Sequence, residues 1–114
     1  MKSKRAKATD ISQKVKKIVW KRDNHACVVC GNTQNVMPNA HYIPRSQGGL
    51  GIPENIVTLC TEFTENQCHR RFDFGAKEER EQIGTQIEKY LKTQYPNWDK
   101  SEIVYNKFKN LELL

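Results

Sequence analysis

Residues 40–49 read Ala40-His41-Tyr42-Ile43-Pro44-Arg45-Ser46-Gln47-Gly48-Gly49, and residues 54–60 read Glu54-Asn55-Ile56-Val57-Thr58-Leu59-Cys60. The β-branched run in the second stretch favours extended backbone. In the first, Pro44, Gly48 and Gly49, followed by Gly51 and Pro53, mark a loop. Two short strands are therefore expected, Ala40–Ile43 and Asn55–Leu59, joined by a loop over 44–53. Downstream, Cys68-His69-Arg70-Arg71-Phe72-Asp73 reads as a helix from Cys68 to Phe74 that Gly75 ends.

Upstream, Val15, Ile18 and Val19 with Trp20 predict a helix over 12–22, capped by Asp10 or Ser12. Ile83, Ile87, Tyr90 and Leu91 predict another over 76–95, stopped by Pro96. Ile103, Val104 and Phe108 suggest a last helix over 100–110. The fold class is α+β. The chain divides into a flexible basic arm (1–11), a core with its preceding helix (12–75), and C-terminal helices packed on that core (76–114).

The chain has 114 residues, of which 37% are hydrophobic. That allows one domain with a small core, the kind that needs a covalent or metal staple. No apolar run is long enough to span a membrane. The basic start, Met1 to Ala8, lacks the apolar stretch of a secretory signal, so a cytoplasmic protein with reduced cysteines is expected. The net charge is +6, and its excess sits at one end: residues 1–22 carry nine Lys or Arg and one acid, Asp10. Such an end suits a polyanion, with Lys14, Lys17 and Lys21 on the helix over 12–22 as phosphate contacts. The plainer alternative is a solubilising tail and a solvated helix face.

Cys27-Val28-Val29-Cys30 is a C-x2-C turn, and Cys60 and Cys68 complete a set of four. Two sulfurs on such a turn reach one tetrahedral metal, and Zn²⁺ accepts four thiolates in closed structural sites. The second pair is spaced by Thr61 to Gln67, which has to loop out. Two other arrangements stay open. The cysteines pair as disulfides, or three of them bind with His25 or His69 as the fourth ligand.

The C-x2-C turn, the histidine before an Ile-Pro-Arg-Ser-x-Gly-Gly loop, the Asn-hydrophobic-x-x-Leu-Cys run and the Cys-His pair occur in this order within residues 27–73. This ordered set resembles the HNH endonucleases of phages and bacteria. The resemblance implies a ββα-metal (His-Me finger) core with a structural zinc and flanking helices. It also implies hydrolysis of DNA phosphodiester bonds, by nicking or cutting of the duplex, with the help of a divalent ion such as Mg²⁺ or Mn²⁺. His41 would be the general base, since imidazole is poised to take a proton near neutral pH. Asn55 would hold the loop and orient His41 through an amide hydrogen bond. His69 would ligate the catalytic ion together with Asp73, four residues on and so on the same helical face.

Arg45 would contact phosphate or brace the loop. The partner is DNA, with other phage or mobile-element DNA-processing proteins as further candidates. A monomer is expected, a dimer through the C-terminal helices being the alternative. One position departs from the pattern: where many members carry an Asp or His ligand directly before the base, this chain has Ala40. The ion is then left to His69, Asp73, water and phosphate, or to a recruited residue such as Asn39. The rival reading is a non-catalytic, zinc-stabilised module that binds nucleic acid. A disulfide-stabilised structural domain is a third.

Overall fold

The computed structural model describes residues 3–106 and gives an α+β architecture around one two-stranded antiparallel sheet. Helix α1 (Lys4–Thr9) starts at Ser3, whose hydroxyl accepts from Ala6 N, and α2 (Gln13–Arg22) starts at Ser12, whose hydroxyl accepts from Val15 N at 3.1 Å. Both caps satisfy amides that a first helical turn leaves without partners. The basic lead-in expected to be flexible over 1–11 is thus helical from Lys4 and packed through a buried Thr9. On α2 only Val19 is fully buried, and Ile18 is 43% exposed, so the apolar stripe is narrower than its spacing suggests.

Strand β1 (Val36–His41) pairs with β2 (Ile56–Cys60), His41 opposite Ile56 and Val36 opposite Cys60. The first strand begins four residues before the expected start at Ala40. An irregularity between Met37 and Ala40 lets the pairing continue past Pro38, which has no amide to donate. All five residues of β2 are buried, which explains a continuous apolar run rather than an alternating one. Helix α3 (Cys68–Phe74) follows and Gly75 ends it, as read from the sequence. Helix α4 (Lys77–Gln94) then buries Ile83, Ile87 and Leu91 in one core cluster with Val57, Leu59, Ala40 and Val36 of the sheet.

The helix expected over 100–110 does not form over its described part. Lys100–Glu102 make a single 3-10 turn capped by Asp99, and Val104 pairs with Gly49 in an isolated antiparallel bridge. Backbone bonds Leu50 N to Ile103 O and Tyr105 N to Gly48 O tie this tail to the glycine loop, and Ile103 is buried there. The loop's unpaired backbone groups compete with helix formation and win. Residues 107–110, with Phe108, lie outside the described residues.

One polar network anchors α2 under the sheet. Asp23, with its side chain fully buried, pairs with Arg22 at 2.7 Å and accepts from Thr58 N at 2.8 Å and from the Tyr90 hydroxyl at 2.5 Å. Arg22 donates on to Pro53 O and Ile56 O, both at 2.7 Å. Removing one member of a buried, fully bonded pair leaves the rest desolvated and unpaired. Asp23→Ala is therefore expected to lower stability by ~3–5 kcal/mol, measured by urea denaturation. A loss below ~1 kcal/mol would show that the network does not anchor the helix.

Candidate metal centre and cleft

The turn after α2, the end of β2 and the start of α3 bring the four cysteines together, with one ligand atom from each within 4.8 Å of the others. The Cys30 and Cys60 sulfurs are 3.8 Å apart. A tetrahedron with metal–sulfur bonds of about 2.3 Å has edges of about 3.8 Å, so the cluster is spaced to hold one metal ion. Thr61–Gln67 loops out as required, closed by Thr64, whose hydroxyl donates to Thr61 O and accepts from Gln67 N.

Backbone amides point at the sulfurs: Cys68 N donates to Cys60 Sγ at 3.2 Å and Cys30 N to Cys27 Sγ at 3.5 Å. Such bonds favour thiolates. The thiols share protons unequally. A hydrogen bond from Cys68 pulls Cys27 down to about 4, and the same contact pushes Cys68 up. Burial raises Cys30. A bound cation would favour ionisation of all four. All four cysteines are free rather than disulfide-bonded. Neither histidine considered as a fourth ligand joins them: His25 stacks on Trp20 with centroids 4.7 Å apart, and His69 faces Asp73.

On the other side of the β1 end lies an open cleft of about 560 Å³, lined by Asn39, His41, Arg45, His69, Phe72, Asp73, Phe74 and Arg80, among others. Three of the residues singled out for chemistry, His41, His69 and Asp73, thus meet at one place. His69 Nε2 lies 3.3 Å from Asp73 Oδ2, one helical turn along α3. Both side chains are partly exposed, so their donor atoms are accessible to an ion. Among the described residues, no third His, Cys, Asp or Glu gathers with this pair. Ala40 is fully buried in the core and contributes nothing to the cleft. Asn39 does line it, and its Oδ1 is buried without a hydrogen-bond partner.

Asn55 sits behind the cleft, fully buried, and its side chain serves the loop alone. Its Oδ1 accepts from Ile43 N at 2.8 Å, and its Nδ2 donates to Ile43 O and Leu50 O. The loop-holding role expected of it is seen. The direct amide bond to His41 is not, because all these contacts go to loop backbone. A Cβ on Gly49 would collide with Ile43 O, so only glycine lets the loop pass this close. Gly48 adopts a left-handed φ of 83°.

His41 instead bonds through Nε2 to the Thr9 carbonyl at 2.8 Å, a partner the sequence reading missed. A carbonyl only accepts, so Nε2 carries a proton, and in the neutral ring Nδ1 then keeps a lone pair. Burial lowers the His41 pKa, against the opposing effect of the Thr9 bond. Arg45 lines the cleft and pairs with Asp10. Lys14, Lys17 and Lys21 are exposed along α2 but do not line the cleft. Phe74 and Phe63, 83% and 80% exposed, flank His69 and Asp73 and were not singled out from the sequence.

A 63-residue stretch, covering 55% of this chain, is 30% identical to Anaredoxin of Nostoc sp. and spans 76% of that protein. No protein-family profile matches the chain, and no solved structure does.

Elemental analysis of purified protein is expected to find about one metal ion per chain. Cys60→Ser removes a buried ligand and is expected to lose both the metal and the cooperative thermal transition. A metal-free wild type that melts at the same temperature as the metal-loaded form would rule out a stapling role.

Proposed function

The chain belongs to the family of Anaredoxin, and we propose that this member is a divalent-metal-dependent DNA endonuclease of the HNH type, its cysteine cluster carrying a structural zinc. The observation that carries this reading is the convergence of His41, His69 and Asp73 on one open cleft. Two antiparallel strands followed by a helix, with His41 at the end of β1 and His69 in the first turn of α3, agree with a ββα-metal core.

In its neutral form, protonated on the Nε2 that meets Thr9 O, His41 would use the Nδ1 lone pair to take a proton from water as its oxygen attacks phosphorus. The bond to the leaving oxygen then breaks, and that oxygen collects a proton from solvent. His69 and Asp73 would hold the divalent ion. Two protein ligands are few, but Mg²⁺ usually keeps several waters and takes substrate phosphate as well. Such an ion, when bound, neutralises charge on the phosphate and leaving group. Arg45 and Arg80 give the cleft a positive rim, and exposed Phe74 offers a face for a base to stack on. Lys14, Lys17 and Lys21, exposed along α2, are further candidates for phosphate contact.

A redox metal in the cysteine cluster is the second reading, favoured by the name of the Nostoc relative. Four tetrahedral thiolates accept iron as well as zinc. Iron would give a coloured protein whose spectrum bleaches on reduction, whereas zinc leaves it colourless.

Nicking of supercoiled plasmid in the presence of Mg²⁺ or Mn²⁺, abolished by EDTA, is the expected activity. His41→Ala is expected to reduce its rate by about 10²- to 10⁴-fold with the fold intact, and undiminished cutting by this variant would overturn the assignment of the base. DNA binding without cutting under any divalent metal would instead favour a non-catalytic binding module. The rate should rise with pH as His41 deprotonates. Its midpoint is expected below the ordinary histidine value of about 6.5, because burial disfavours the imidazolium.

A further inference from the structure

The His41–Thr9 bond is not an isolated contact. Four successive parts of the N-terminal segment meet the strand–loop region around the cleft. Arg5 Nη2 donates to Ser46 O at 3.1 Å, and Gly51 N donates to Ala8 O at 2.9 Å. Thr9 O accepts from His41, and Asp10 pairs with Arg45. Thr9 itself is buried, its hydroxyl turned back onto Arg5 O and Ala6 O, so its carbonyl is directed by the helix end rather than by its own side chain. A Cβ on Gly51 would collide with Asp10 O, so this close seating depends on glycine at 51.

We propose that α1 is a working part of the cleft: by docking on the loop it sets the Thr9 carbonyl against His41 Nε2, fixing the tautomer that leaves Nδ1 free to act on water. Thr9 is thus a positioning residue, and it acts through its backbone. The consequence for cleavage rests on the nuclease reading; the docking and the tautomer do not. An undocked α1 would leave the imidazole free to rotate and to exchange tautomers, while the cysteine cluster and core, built from other segments, stay in place. A partner or ligand that competes for Arg45 would loosen the same clasp.

The test uses the full chain labelled with ¹⁵N in its histidines. Wild-type His41 is expected to show one neutral tautomer protonated on Nε2. In Gly51→Ala the amides of Lys7, Asp10 and residue 51 should lose exchange protection, and the His41 ring signals should move to a tautomer mixture. Cleavage should fall about 10- to 100-fold, the range for losing a group that orients an active-site histidine, with cluster metal content unchanged. Should Gly51→Ala fail to fold, the double variant Arg5→Ala/Asp10→Ala weakens the clasp without a new Cβ and is read the same way.

Three results would overturn the proposal: a wild-type ring protonated on Nδ1, ring signals unchanged once the α1 amides are released, or an α1 that stays protected in both variants. Expected ring signals in a protein that cuts no DNA would instead remove the nuclease reading and leave the positioning role standing.

Discussion

Four sulfur atoms within 4.8 Å of one another join three segments that the chain keeps far apart: the turn after α2, the end of β2 and the first residue of α3. The apolar core is thin, two short strands covered by three residues of α4 and a few neighbours. In such a domain burial alone leaves little margin over chain entropy. A metal held by four thiolates would close loops of about thirty and of eight residues at once, between Cys30 and Cys60 and between Cys60 and Cys68, and its binding free energy would become folding free energy. The position of α3 relative to the sheet, and with it His69 and Asp73 relative to His41, follows from where Cys68 is pinned.

Beside that cysteine cluster the structure solves a second problem, a glycine-rich loop with many backbone groups and few side chains to bury. It is held from three directions. Asn55 satisfies Ile43 and Leu50 from inside, Ile103 and Tyr105 bond its far edge, and Ala8 bonds Gly51 on the near side. Each clamp is polar and directional, so the loop is placed by hydrogen bonding rather than by packing. The Arg22–Asp23 network acts in the same way beneath β2, where Thr58 N and Ile56 O find side-chain partners. The cleft inherits its shape from these clamps. His41 leaves the sheet at the point where pairing ends, with its Nε2 bound to the Thr9 carbonyl.

The cysteine spacing made the four-thiol cluster legible in the sequence, since a C-x2-C turn is a local geometric device and the outer pair needed only a loop between them. Capping serines, the apolar periodicity of α4 and the β-branched run of β2 were equally legible, because caps and periodicity act within a few residues. The His41, His69 and Asp73 positions were also found, but only as an ordered pattern; no single one of them is distinctive. What failed to show was contact between segments distant in the chain. Val104 looked helical by spacing, yet it pairs with Gly49. Asn55 looked like a partner for His41, yet its amide turns to loop backbone.

The sequence by itself therefore determined the α+β class, the four thiols, the three polar residues that meet in the cleft and the glycines that make its loop feasible. Only the tertiary structure decided how the histidine is held. The basic segment ahead of α2 reads as a solvated arm because its composition is polar and its apolar content negligible. In the fold it supplies a backbone carbonyl at 2.8 Å from His41 Nε2. A backbone carbonyl has no residue identity, so no pattern of side chains could have announced it.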